Sequence, residues 1–509
     1  MVTAPTWLRA PRRPLLALLA LVAVGAVAGG LAVALNGELK DLLVYQHGGS
    51  AVLAGESPYA RDDPATGLPF TYPPFAAVLM APLALLPAWL AAAVWTGASA
   101  GALAGSVVLV RRGVGRPTPA WLVVLLTVAA LALEPVWQNV AFGQINLLLM
   151  LLVLVDLLRP ERRLSGVALG VAAGVKLTPL VFVVLLVLAG RRATATRALL
   201  AFGGTVAIGF AALPGTATYW TDGLLDPARV GPPALAHNQS VHGALTRALG
   251  SAPPTFLWLV VAGPLALAVL LLAAAWWRRG DRALGTCLGA MAMLLASPVA
   301  WSHHWVWAVP AALVLWERSR GAAAAWTAVW VARPILWPPW GEGRELGWNS
   351  PQHLVGNAYL IAALALAAWA LSLLVVRRQR RATPSARAAA ATASRTAPGT
   401  RGSNGEGMTR SSRRSSPTSS ASAVAAATFI PSVIAVACTS KAPRKMPGKA
   451  STLLIWLGKS ERPVATTRAY LWARSGCTSG VGLARPKMIE SAAIEATISS
   501  GTWPPETPM

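Results

Sequence analysis

Residues 162–192 read RRLSGVALGVAAGVKLTPLVFVVLLVLAGRR. Arginine pairs bound 27 nearly all apolar residues, interrupted only at Lys176-Leu-Thr-Pro179. A helix of about 20 apolar residues crosses the roughly 30 Å hydrocarbon layer of a membrane. This stretch is therefore long enough for one crossing and too short for two. Arginine in short loops marks the cytoplasmic side, and two cytoplasmic ends require an even number of crossings. Two short helices meeting near Lys176–Pro179 reconcile the constraints. Such breaks persist only where they are buried in protein or line a watery cavity. The stretch predicts a broken helix pair within an all-α, polytopic membrane protein.

The same parity extends along the chain. Further clusters fall at Arg12/Arg13, Arg111/Arg112/Arg116, Arg159, Arg197, Arg278/Arg279/Arg282, Arg318/Arg320 and Arg377/Arg378/Arg380/Arg381. With every cluster cytoplasmic, spans fall near 14–35, 88–110, 119–134, 143–158, 198–214, 256–277, 283–300, 304–316, 322–337 and 354–376. The broken pair brings the total to about twelve transmembrane or partly spanning helices. Residues 36–87 become a long outer loop. All six histidines (His47, His237, His242, His303, His304 and His353) and most acidic residues then face outward. The expected location is the plasma membrane, with the chemistry on its extracytoplasmic side.

Composition agrees. Of 509 residues, 55% are hydrophobic and 12% charged, against about 25% charged in a soluble domain. The net charge of +25 does not imply nucleic acid, because the basic residues lie in short clusters between apolar runs and not on one soluble face. Cys287, Cys438 and Cys477 show neither metal-ligand spacing nor a disulfide framework; Cys287 is expected inside a span. The run from Leu15 to Leu35 follows Arg9, Arg12 and Arg13 and exceeds a signal-peptide core, which predicts an uncleaved first span. After Arg381 the composition changes. Residues 1–381 read as the membrane domain and residues 382–509 as a basic tail with no Asp or His. The tail is expected to be disordered, although a shifted reading frame would leave the same break, and no function is assigned to it.

The first outer loop carries the richest chemistry. If the first span continues as an interfacial helix, Glu38, Asp41 and Tyr45 share one face. Asp41 is a candidate general base; the plainer reading pairs it with Lys40 or leaves it solvated. Gln144 and Asn146 enter an apolar helix, where amides must find partners. They serve either as interhelical contacts or as the lining of a hydroxyl-binding pocket. Lys176 and Arg333 are cations in apolar surroundings, suited to a lipid phosphate unless they snorkel or pair with an acid such as Asp156 or Glu134. His303 and His304 are adjacent and lack the i, i+4 spacing of a zinc site. One is a candidate phosphate contact and the other structural. Asn238-Gln-Ser240 is read as loop polarity, and most of the 22 tryptophans as interface anchors.

Five segments occur in one order: Asp41-Leu-Leu-Val-Tyr45 with Gly55 and Tyr59, Thr71-Tyr72-Pro-Pro-Phe75, Gly143-Gln144-Ile-Asn146, Gly170 with Lys176-Leu-Thr-Pro179, and Ser297-Pro298 with His303-His304-Trp305. Over residues 12–380 the chain thereby resembles glycosyltransferase family 87, the DUF2029 membrane enzymes of actinobacterial type with a GT-C type fold. The resemblance implies inverting transfer of mannose, or alternatively arabinofuranose, from a polyprenyl-phosphate-linked donor to a glycolipid or cell-wall glycan acceptor. It makes Asp41 the general base. Lys176, Arg333, His303 or His304 would bind the donor phosphate, and Tyr45, Tyr59, Tyr72, Gln144 and Asn146 would contact substrate. No cofactor is called for. Asp62-Asp63 is only a pair and no DxD metal motif occurs in the outer loops, so activity independent of divalent cations is expected. A transporter or flippase would explain the broken helices, but not the titratable residues gathered in the first outer loop. A non-catalytic scaffold leaves the long interrupted loops unexplained.

Overall fold

Proline and glycine divide the apolar runs into helices far more finely than hydropathy does. The computed structural model describes residues 39–223 and 227–395, with residues 23, 25, 27 and 30 before them. All belong to one unit, residues 1–402. The expected first span falls almost entirely outside the described residues, as does the tail from residue 396.

The first half of the chain forms α1 (Lys40–Ala54), α2 (Pro74–Ala84), α3 (Ala88–Gly113), α4 (Ala120–Ala130), α5 (Glu134–Phe142), α6 (Asn146–Leu158), α7 (Val167–Val175), α8 (Leu180–Leu188) and α9 (Arg192–Ala212). The second half forms α10 (Val241–Leu249), α11 (Thr255–Arg278), α12 (Arg282–Ala296), α13 (Ala308–Trp316), α14 (Arg320–Ala332), α15 (Ser350–Gly356) and α16 (Ala358–Arg395). A 3₁₀ helix, Ser302–Trp307, joins α12 to α13. Among the described residues the only extended pairing is an isolated bridge between Asn238 and Trp301. The protein is all-α, and α16 continues past the compositional change at residue 382.

The expectation of about twelve spans is corrected. Among the described residues four helices are long and apolar enough to cross a membrane: α3, α9, α11 and the 358–376 part of α16. A fifth is possible if α4 and α5, bent by 83° at their break, count as one span. The shortfall has a physical cause: an apolar run sets how greasy a segment is, while proline, glycine and capping polar groups set how long it stays helical. Arg333 adopts a left-handed φ of 52° that ends α14 just before Pro334. The segment 283–300 yields a 15-residue helix, α12, in which every residue from Ala283 to Leu295 is buried. A helix buried all round belongs to a protein core, not to a lipid-facing wall. Cys287, expected inside a span, lies in this shorter, buried helix instead.

The broken pair is present. Helices α7 and α8 have nine residues each, about 13 Å apiece. Lys176 between them is extended, with φ −151° and ψ 127°. Close approach of α7 to α9 depends on glycine: a Cβ added at Gly170 would lie 2.3 Å from the Ala198 carbonyl oxygen, and one at Gly174 would lie 2.1 Å from Thr205 Oγ1. Small residues at such crossings let helix backbones meet.

Candidate active site

Four chain breaks converge on one polar cluster: the start of α1, the α5–α6 junction, the α7–α8 break and the Ser302–Trp307 turn. Asp41 lies in the first turn of α1 and Tyr45 one turn later, so both side chains share a face. Glu38, expected on that face, lies outside the described residues. Helix α5 ends at Gly143 with φ 71°, a left-handed cap that glycine adopts without strain. A Cβ there would meet Leu42 Cβ at 2.9 Å and Leu39 Cβ at 3.0 Å, so α1 packs directly on this glycine. The contact brings Gln144 to Asp41.

Gln144 is oriented from both ends. The Tyr45 and Tyr72 hydroxyls lie 2.9 Å apart and each is 3.2 Å from Gln144 Oε1. Two protons serve three contacts, so Oε1 accepts from at least one tyrosine. The amide NH₂ end is then the part of Gln144 that donates to the Asp41 carboxylate. Burial pushes the Asp41 carboxyl up to about 6 against the opposing pull of Gln144, Lys176 and Lys40. Gln144 and Lys176 outweigh Lys40 in that pull, so the plain pairing with Lys40 does not describe this group.

Asn146 is the second hub. Its Nδ2 donates to Asn139 Oδ1 at 3.2 Å and to the His303 carbonyl at 3.1 Å. Its Oδ1 accepts from Lys176 Nζ at 3.1 Å. Asn139 in turn donates to the Gln144 carbonyl at 2.9 Å. Lys176 Nζ is also 2.9 Å from His304 Nε2 and 5.6 Å from the centre of the Tyr72 ring. An ammonium only donates, so His304 must present a lone pair at Nε2 and carry its proton on Nδ1. Its backbone contact with Val299 suits that tautomer. Burial, and then the Lys176 charge, hold His304 well below the usual imidazole range.

The turn carrying the histidines is pinned by the Asn238–Ser240 loop. Asn238 Oδ1 accepts from the Ala300 N–H at 3.0 Å, and the Gln239 N–H donates to the Ala300 carbonyl at 2.9 Å. Ser240 also caps α10 through the Gly243 N–H at 2.9 Å. All three residues are buried.

Beside the cluster a cleft opens between α6 and α12. Leu149, Met150 and Val153 face Met293 and Leu294 across it, and Lys176, Thr178, Ser297 and His304 form its polar part. Among the described residues no group of three or more His, Cys, Asp or Glu side chains is placed to hold a metal ion.

Seven of the expected site residues therefore meet: Asp41, Tyr45, Tyr72, Gln144, Asn146, Lys176 and His304. His303 joins through its carbonyl, with its ring 5.8 Å from that of Phe142. Tyr59 borders the cluster, donating to the Tyr72 carbonyl at 2.8 Å and stacking on Tyr219 at 5.5 Å. Arg333 does not join. It is exposed, and its charge acts on Glu134 and Tyr359, whose hydroxyl donates to Glu134 Oε2 at 3.0 Å. Asn139 also belongs to the cluster and is a residue that sequence reasoning missed. Its spacing to Gln144 and Asn146 across Gly143 was the available signal.

Comparison with known proteins bears on the same residues. The model of glycosyltransferase family 87 matches residues 70–298. A Mycobacterium tuberculosis polyprenol-phosphate-mannose-dependent alpha-(1-2)-phosphatidylinositol pentamannoside mannosyltransferase is 38% identical over 375 residues, 69% of this chain and 86% of the relative. A second protein from that organism, a polyprenol-phosphate-mannose-dependent alpha-(1-2)-phosphatidylinositol mannoside mannosyltransferase, is 36% identical over 408 residues, 72% of this chain and 91% of the relative. A Mycolicibacterium smegmatis pentamannoside mannosyltransferase is 35% identical over 352 residues, 65% of this chain and 84% of the relative. No solved structure matches this chain. Apolar spanning helices, the ordered motifs and the coverage of these relatives together place the chain in glycosyltransferase family 87, as a multi-pass membrane glycosyltransferase.

Proposed function

We propose that the protein transfers mannose, with inversion, from polyprenyl-phosphate-mannose to a hydroxyl of a phosphatidylinositol mannoside at the outer face of the plasma membrane. Asp41 takes the proton of the acceptor hydroxyl as that oxygen bonds to the anomeric carbon. The bond from this carbon to the phosphate oxygen breaks, and its electron pair leaves with the polyprenyl phosphate. Negative charge grows on the departing phosphate, where preorganised donors lower the barrier. Lys176 supplies the charge; Asn146 Oδ1 and neutral His304 Nε2 each accept a hydrogen bond from its ammonium, which leaves the third N–H for the phosphate.

The observation that supports this reading most is the placing of one carboxylate and one ammonium in a single hydrogen-bonded cluster at the polar part of an apolar cleft. Arabinofuranosyl transfer would use the same groups, but the relatives named above are mannosyltransferases.

The test uses membranes containing the protein, labelled polyprenyl-phosphate-mannose and phosphatidylinositol mannosides of graded length. Labelled glycolipid that is lost in Asp41→Asn at equal expression supports the assignment. Undiminished transfer in that variant overturns the role of Asp41, and transfer of arabinose alone overturns the donor. Orientation is checked by Ser50→Cys, in exposed α1 surface, which should react with an impermeant thiol reagent in intact cells. Labelling only after lysis would invert the topology.

A further inference from the structure

Helix α6 has 13 residues, so its two ends lie about 18 Å apart. Asn146 begins it in the polar cluster. At its far end a second cleft opens, lined by Arg159, Arg191 and Arg282 with Thr194 and Trp277. Two acids border this cleft and both are engaged. Glu161 accepts from Arg191 at 2.6 Å, from Arg197 at 3.2 Å and from Thr194 Oγ1 at 2.6 Å. Asp156 accepts from the Leu169 N–H at 2.8 Å, at the start of α7. Arg159 and Arg282 have no ion pair among the described residues; Arg282 instead lies over the Trp277 ring at 5.7 Å. The charges of Arg191 and Arg282 act on each other unfavourably.

Around this cleft four arginines, Arg159, Arg191, Arg197 and Arg282, face two carboxylates, Asp156 and Glu161, and leave a local surplus of positive charge carried by Arg159 and Arg282. Guanidinium groups match the oxygens of phosphate in geometry. The source of the anion follows from the surroundings. Trp277 lies in the last turn of α11, a helix long and apolar enough to span a membrane, whose Leu267 and Leu271 are exposed and suited to face lipid. Leu157 and Leu186 complete the apolar side of the cleft. Basic pockets between membrane helices beside such surfaces hold phospholipid headgroups.

We propose that this cleft binds the phosphate headgroup of an anionic membrane phospholipid, at the end of α6 opposite the transfer site and independently of it. The full chain, purified in detergent, is examined by native mass spectrometry and thermal unfolding with phosphatidylglycerol, with phosphatidylcholine, and with inorganic phosphate. Phosphatidylglycerol is expected to be retained and to raise the unfolding temperature, and phosphatidylcholine is not. Arg159→Gln with Arg282→Gln should weaken phosphatidylglycerol retention about tenfold or more, and Arg282→Lys should keep much of it. Mannosyl transfer in detergent should be unchanged in the double variant. Retention undiminished in that variant overturns the proposal, as does equal stabilisation by inorganic phosphate, which would mark a soluble-anion site. Retention is read only from folded protein in the native spectrum, so loss of yield does not mimic loss of binding.

Discussion

The two ends of α6 use charge in opposite ways. At the Asn146 end an acid, Asp41, and a cation, Lys176, influence each other but form no ion pair; amides and tyrosine hydroxyls hold them apart. At the far end acids and arginines meet directly, Glu161 with Arg191 at 2.6 Å and, nearby in the fold, Asp281 with Arg318 at 2.5 Å and Glu317 with Arg111 at 2.8 Å. A direct pair neutralises both partners, which suits helix docking. The base and cation proposed above would each act on substrate and so have to stay separately available. Gln144 and Asn146 provide this, because each amide can satisfy one charged group while its other end is fixed by neutral neighbours.

The most severe break of this contrast is Asp41→Asn. General-base catalysis contributes about 10²–10⁴ in rate, and initial rates of labelled mannose transfer should fall by that factor. The same variant should unfold at a higher temperature at neutral pH. The folded Asp41 carboxyl is raised to about 6, so its ionisation destabilises the fold as pH rises past its ordinary value toward 6. The neutral amide avoids that cost. A rate loss accompanied by a lower unfolding temperature would mean that Asp41 is structural.

Lys176→Met comes next. In the role proposed for it, stabilising the departing phosphate, its removal should cost about 10²–10³ in turnover. Lys176→Arg should restore little, since a planar guanidinium does not reproduce the compact contacts to Asn146 and His304. Measured turnover close to that of the wild type in Lys176→Met would move the phosphate site elsewhere.

Much of this contrast was legible in sequence, for particular reasons. Flanking arginines and Pro179 located the α7–α8 break, because span length and charge parity are both linear properties. The Asp41–Tyr45 face followed from helical spacing. The span count was overestimated because hydropathy cannot see where α4 bends at residues 131–133 or where Arg333 turns left-handed. Arg333 itself was placed in the donor site because a charge in an apolar run invites a functional reading. Pairing with an acid such as Glu134, 199 positions earlier, was one of the alternatives open in sequence, and the folded chain favours it. The Asn146 to His303 contact, across 157 positions, is equally non-local.

Gln144 sharpens the contrast more gently. With Asp41 as the proposed base, transfer needs its ionised form, so kcat/KM should rise with pH through about 6 and then level. Gln144 stabilises the ionised carboxylate by donating to it. Gln144→Leu should move the rising limb to higher pH and lower the plateau by roughly tenfold, the scale of one lost hydrogen bond to a charged group. Gln144→Glu, which cannot donate when ionised, should shift it further. A lower plateau with an unmoved limb would show that Gln144 contributes only packing.

Glu161→Gln tests the other end and should have the smallest effect. Transfer should be unaffected, because the Glu161 contacts lie a helix length from Asp41. The cost in stability should be under about 1 kcal/mol, since this pair is partly exposed. Its sign with pH is fixed. The hydrogen bond from Thr194 and the Arg191 and Arg197 charges hold the Glu161 carboxyl below its ordinary 4.5. Its contribution is therefore complete above that value and fades as pH falls below it. Unfolding temperatures of wild type and variant should differ at pH 7, converge at acid pH, and converge also in high salt, which screens exposed charges. A rate change in Glu161→Gln at unchanged stability would show that the two ends of α6 are coupled, and would replace the division of labour proposed here with communication between them.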